Sequence, residues 1–142
     1  MQGSPIIKKL HCMLTAVLLL IVAGFSLLYY FSREAPDDEL FAQREITDSV
    51  YLYITRYKGG GATVSEVYRY YLDGRLQGDI LHHLKDRSPF LVAEMANASI
   101  TGYGAHINVK LSGRVYSFTN SDLFYSEGVA VMPVIDFTVN SK

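Results

Sequence analysis

The chain has 142 residues, 13 Lys and Arg against 14 Asp and Glu, one cysteine, and hydrophobic residues at 49 %. A near-neutral charge with scattered basic residues excludes the electrostatic footprint of a nucleic-acid binder, and a single cysteine excludes any disulfide within the chain. The length suits one small domain with its own core plus an anchoring or targeting segment.

The first element is HCMLTAVLLLIVAGFSLLYYFSRE, residues 11–34, with no Lys, Arg, Asp or Glu before Arg33. Leu10 to Phe31 is 22 residues, about 33 Å of helix at about 1.5 Å per residue, enough to cross a hydrocarbon core of about 30 Å. The core helix of a soluble domain keeps a polar face, whereas here Leu14, Val17, Leu18, Leu19, Leu20, Ile21, Val22, Phe25, Leu27 and Leu28 point all round the axis. Tyr29, Tyr30 and Phe31 end the run as an aromatic belt does. A cleaved secretory signal is the competing reading, with Lys8 and Lys9 as its basic start and small residues around Ala23 and Gly24 for cleavage. The run exceeds the usual length of a signal's apolar region, and cleavage there would leave Leu27 to Phe31 as an apolar tail. The expectation is therefore a retained signal anchor that contacts membrane lipid through residues 10–32. Cys12 precedes the apolar run and so is not placed as a lipoprotein cysteine.

Orientation follows from the flanks. Lys8 and Lys9 lie before the span, and Arg33 followed by Glu34, Asp37, Asp38 and Glu39 lies after it. The positive-inside rule then puts the N-terminus in the cytoplasm and the rest outside it, in an inner membrane facing a periplasm. The expected organisation is a cytoplasmic N-terminus over residues 1–9, a transmembrane helix over residues 10–32, a juxtamembrane linker over residues 33–48 and an extracytoplasmic domain over residues 49–142. The linker reads as a plain tether or as a short amphipathic helix through Leu40, Phe41 and Arg44.

From Ser49 the pattern has period two, with Val50, Leu52 and Ile54 on one face of a strand and Tyr51, Tyr53 and Tyr57 on the other. Lys58-Gly59-Gly60-Gly61-Ala62 turns the chain into a second strand over residues 63–72. The triple glycine lacks the spacing of a phosphate-binding loop and its following helix. Leu76, Ile80, Leu81 and Leu84 predict a short helix over residues 75–86, stopped before Pro89. Residues 90–95 read as a strand and residues 97–104 as turns. Ala105, Ile107, Val109 and Leu111 alternate with polar residues in a strand, and Ser112-Gly113 turns it into a hairpin partner over residues 114–119. Residues 120–128 read as a loop or a single helical turn. A last strand over residues 129–139 contains Pro133, which argues for an edge or a bulge. The class is α+β: one N-terminal transmembrane helix followed by a small, mostly antiparallel sheet domain with one or two short helices.

Local chemistry is sparse. His82 and His83 are adjacent on the predicted helix and point about 100° apart, so they do not chelate one ion together. Their i,i+4 partners Asp79 and Asp86 suit ion pairing on a solvated face, and no metal site is expected. No G-x-S-x-G elbow occurs, and nothing in the spacing pairs Glu66, Asp73, Glu94, Glu127 or Asp136. No catalytic residue, cofactor or nucleic-acid partner is assigned. Six tyrosines fall on the first hairpin: Tyr51, Tyr53, Tyr57, Tyr68, Tyr70 and Tyr71. Aromatic residues on both faces exceed what a one-sided sheet needs, and tyrosine suits interfaces, so these six form the candidate protein-interaction surface. The expected function is binding a partner protein from a membrane anchor, as an envelope-complex component or an immunity-type inhibitor. The alternatives are an envelope enzyme or small-molecule sensor with a site built from distant residues, and a structural membrane protein.

Overall fold

The computed structural model describes residues 5–31, 38–57 and 65–140. Two compact units make up the chain, Met1–Ala35 and Pro36–Lys142.

The first unit holds α1, Pro5–Phe31, a helix of 27 residues. Proline is favoured at a first helical position because its missing N–H has no partner to lose there. Its large apolar side chains are exposed, from 47 % at Val17 to 74 % at Ile6. The segment Pro5–Tyr29 is long and apolar enough to cross a bilayer. The helix starts five residues before Leu10, the expected first residue of the span.

The second unit is the α+β domain, whose elements in order are β1 (Asp38–Thr47), β2 (Val50–Tyr57), β3 (Tyr68–Asp73), α2 (Ile80–Lys85), β4 (Leu91–Ala93), β5 (Ser99–Tyr103), β6 (His106–Ser112), β7 (Val115–Phe118), β8 (Phe124–Ser126), β9 (Val129–Val131) and β10 (Val134–Asn140). A five-stranded sheet runs β1-β2-β3-β4-β7, a three-stranded sheet runs β10-β6-β5, and β8 and β9 form a hairpin. Every pairing is antiparallel except β10 with β6.

One core joins these sheets. Val50, Leu52 and Ile54 of β2, Tyr70 and Leu72 of β3, and Phe90 beside β4 pack with Ile100, Ile107, Val109, Leu111 and Ile135 of the three-stranded sheet. The alternation in β2 and β6 therefore points inward as the period-two pattern requires. The opposite face of the five-stranded sheet is also covered. There Tyr53 and Tyr71 meet Leu84, Leu76 and Ile80, so α2 lies across the tyrosines. This explains why the first hairpin is apolar on both sides.

Several expectations are corrected. Residues 38–47 form a strand rather than a tether or helix, because Leu40 pairs with Thr55 and Ala42 with Ile54, leaving Phe41 as an extra residue. A second register shift between Glu45 and Thr47 breaks the alternation again. Residues 99–103 form β5, although the glycines there read as turns. The expected β6–β7 hairpin does not form: β7 pairs with β4, and the chain crosses between sheets at Gly113, whose φ of +127° is open to glycine. Pro133 cuts the last strand in two, leaving β9 in the hairpin and β10 at an edge of its sheet. The predicted helix is shortened to Ile80–Lys85. The glycine-rich tip of the first hairpin lies outside the described residues.

Candidate functional site

The candidate site is assembled where β3 ends beside α2. Asp79 caps α2, its Oδ1 accepting the His82 N–H at 3.0 Å, as N-cap aspartates do. Leu84 and Ile80 hold the other side of the helix on Tyr53 and Tyr71. That seating places His83 over the end of β3, where its Nε2 lies 3.0 Å from Asp73 Oδ2. Arg87, one residue past the helix cap at Asp86, brings Nε to 3.3 Å from the same oxygen.

Arg87 engages its two terminal nitrogens with neighbours, while its Nε stays buried beside Asp73 without a hydrogen bond. Its Nη2 donates to Asp122 Oδ1 at 2.6 Å and to the Leu72 carbonyl at 3.2 Å, and Nη1 donates to the Leu123 carbonyl at 3.1 Å. The guanidinium also stands over the Phe124 ring, 5.8 Å from its centroid. Asp73 and Asp122 are thus joined through one arginine, with side-chain exposures of 4 % and 10 %. Asp73 Oδ1 accepts the Gly74 N–H at 2.8 Å, whereas Asp122 Oδ2 is buried and has no hydrogen-bond partner. Burial raises the Asp122 pKa above its ordinary 3.8, against the lowering pull of Arg87.

A cleft of about 610 Å³ opens over this network. Asp73, His83 and Arg87 contribute to it, with Asp79, His82 and Asp86 along α2 and Leu76, Leu123, Phe124 and Tyr125 opposite. A smaller groove of about 250 Å³ lies beside β1, against Leu52, Ile54, Ala96 and Ala98.

Two tests follow from this geometry. The folded state holds a proton on Asp122 at pH values where the unfolded chain has lost it, so stability falls as pH rises through the interval above 3.8. Asp122→Asn removes that contribution, and its thermal stability measured across acidic pH should fall less steeply than that of the wild type. Tyr53 supplies the second test. Its buried hydroxyl donates to the Gly74 carbonyl at 3.0 Å and accepts from the Leu76 N–H at 2.8 Å. Tyr53→Phe strands both backbone groups and should cost about 1–3 kcal/mol in denaturant unfolding.

The six hairpin tyrosines are mostly inside the fold. Tyr53, Tyr68, Tyr70 and Tyr71 are buried in the domain. Tyr70 donates to the Met95 carbonyl at 2.6 Å, and burial pushes its pKa up to about 12. Tyr68 donates to Glu66. Tyr51 and Tyr57 are half-buried, the first donating to Glu45 at 2.9 Å and the second lying under Arg69 at 5.5 Å. Among the described residues of the domain, the exposed tyrosines are Tyr103, Tyr116 and Tyr125, on β5, β7 and β8. Of the six tyrosines, only Tyr51 and Tyr57 are therefore partly accessible.

The histidine pair behaves differently from its local pattern. His83 pairs across to Asp73 rather than with Asp79 one turn back, while His106 is exposed on the polar face of β6. Of the five candidate carboxylates, Asp73 alone joins the cleft, and its companion Asp122 comes from a loop that carried no motif. Among the described residues, no three His, Cys, Asp or Glu side chains gather as a metal site. No known protein family, curated protein or solved structure matches this chain.

Proposed function

We propose that this chain is a single-pass membrane protein whose α+β domain, held outside the cytoplasm, works by binding a partner protein. The observation that supports the anchor is α1: an apolar helix of 27 residues whose described large side chains are exposed. In water such a surface is costly at about 25 cal/mol per Å² of apolar area, and lipid removes that cost. Binding rather than catalysis is favoured by the lining of the cleft, where Tyr125 has the only hydroxyl and no Ser, Thr or Cys stands beside His83 to act as a nucleophile. An envelope-complex component and an immunity-type inhibitor both fit a small domain tethered at an inner membrane.

A second reading, an envelope enzyme or small-molecule sensor, is favoured by the Asp73–His83 pair, because a buried carboxylate orienting an imidazole at a cleft is also how general bases are arranged.

The test is fractionation with topology mapping. The full chain should stay in the membrane pellet through an alkaline wash, and protease added outside the cytoplasmic membrane should digest the C-terminal domain. A soluble mature chain lacking the first two dozen residues would show that α1 is a removed signal. A domain protected from external protease would reverse the orientation.

A further inference from the structure

We infer that the groove beside β1 receives the carboxyl-terminal end of the partner polypeptide, with its apolar last side chain between the sheets and its terminal carboxylate on Arg44. This rests on the binding reading above and names the segment bound.

The shape of the opening comes first. At the end of β1 the two larger sheets meet closely: Thr47 Oγ1 donates to the Gly104 carbonyl at 3.1 Å, and a Cβ on Gly102 would stand 2.9 Å from Ile46 Cγ2. Nearer Phe41 a groove of about 250 Å³ opens, walled by Phe41, Ala42, Ala96 and Ala98 over Leu52 and Ile54. Leu52 and Ile54 belong to the buried core, so the groove reaches the apolar interior. Clefts for whole small ligands span about 300–1,000 Å³, and this smaller one suits a single apolar side chain.

Charge narrows the occupant. Arg44 is the only charged residue lining the groove. It pairs with Leu52, as Ala42 pairs with Ile54, which puts it on the core side of β1. Glu45 pairs with Tyr51 on the opposite face and accepts its hydroxyl at 2.9 Å. Arg56, Arg69 and Arg87 are each held by a carboxylate. Arg44 donates through Nη2 to the Ile100 carbonyl at 3.2 Å, and among the described residues no carboxylate pairs with it. A guanidinium without its own acid, at the mouth of an apolar groove, is complementary to a carboxylate attached to an apolar group.

The backbone selects a polypeptide over other apolar acids. β1 is the end strand of the five-stranded sheet, and among the described residues no further strand pairs with its outer edge. An extended peptide laid there gains main-chain hydrogen bonds and turns every second side chain towards the groove. A fatty acid shares the tail and the carboxylate but has no N–H for that edge.

The test uses the full chain in lipid nanodiscs, with the Ala42, Ala96 and Ala98 methyl resonances followed while acetyl-Thr-Val-Leu with a free carboxyl terminus is added. Saturable shifts in the millimolar range are expected, and the same peptide as its carboxyl-terminal amide should bind roughly tenfold more weakly, the scale of a hydrogen bond to a charged group. Arg44→Gln should weaken the free acid by the same factor and leave the amide unchanged. Arg44 is exposed, so this variant keeps the fold. Equal affinity of acid and amide, or unchanged affinity in Arg44→Gln, overturns the assignment, and Arg44 would then only guard an open sheet edge, as inward-pointing charges do. Octanoate and the N-methylated peptide are the last arms. Weaker binding of both supports a polypeptide strand, whereas octanoate binding as tightly as the peptide overturns that source in favour of a lipid acid. Retention of the chain in the nanodisc is scored separately, so a failed groove is distinguished from a failed anchor.

Discussion

Arg87→Leu should destabilise the domain by about 3–5 kcal/mol, the usual consequence of removing one partner from a buried ion pair. The reason is specific to this arrangement. Asp73 and Asp122 are both nearly inaccessible to water and depend on the same guanidinium. Leucine supplies comparable bulk against Phe124 but leaves Asp122 without an ion-pair partner and Asp73 with only the Gly74 N–H and His83, and it strands the Leu72 and Leu123 carbonyls that Arg87 now satisfies. For a domain of this size, about 4–8 °C of Tm accompanies each kcal/mol, so the loss is large in a thermal scan. Its pH dependence identifies the cause. Without the lowering pull of Arg87, burial holds the folded-state Asp122 pKa further above that of the unfolded chain, so the variant should recover stability as pH falls and that acid takes up its proton. A loss independent of pH between acid and neutral would mean that packing around Phe124, and not charge, is what Arg87 supplies.

The features that escaped the sequence share a physical cause with that network: they depend on contacts between residues far apart in the chain. β2 and β6 were legible because each has one buried face in an unbroken alternation, so Val50-Leu52-Ile54 and Ile107-Val109-Leu111 stand out. β1 has the same role at a sheet edge, yet the extra residue Phe41 puts two large apolar residues side by side and destroys the period. β8 is too short for any period to develop. The tyrosine-rich hairpin was legible as a strand pair but not in its partners. Its second apolar face looked like an interface, whereas Ile80 and Leu84 of α2, with Leu76, pack on it from the same chain. Asp73 stood among carboxylates without a partner, since neither His83 nor Arg87 marks itself as its partner by spacing. The long apolar helix α1 needed no tertiary information, because twenty-odd apolar residues without a charge form a pattern that no distant contact has to complete.

Gly74→Ala is the second substitution expected to have a large effect, and it tests how β8 is held against the cleft. A Cβ on Gly74 would stand 2.8 Å from the Tyr125 carbonyl oxygen and 3.0 Å from the Ser126 Cα. Both are backbone atoms, so no rotamer change relieves the clash, and either the end of β3 or the β8–β9 hairpin must shift. Overpacking of this kind costs about 1–3 kcal/mol, and the shift would also disturb the 3.0 Å bond from Tyr53 to the Gly74 carbonyl and the 2.8 Å bond from Gly74 to Asp73. A loss near the upper end, about 3 kcal/mol, is therefore expected in thermal unfolding. Gly78→Ala is the matched control. Gly78 has φ of +79° with nothing within 4 Å of a Cβ, so only the left-handed backbone is penalised there, at about 1–2 kcal/mol. Because Tyr125 forms part of the cleft wall, Gly74→Ala should also change the His83 ring environment, whereas Gly78→Ala should leave it close to wild type. Equal losses and equal spectra from the two variants would mean that close approach of β8 does not shape the cleft, and Tyr125 would then have to be positioned by the β8–β9 hairpin on its own.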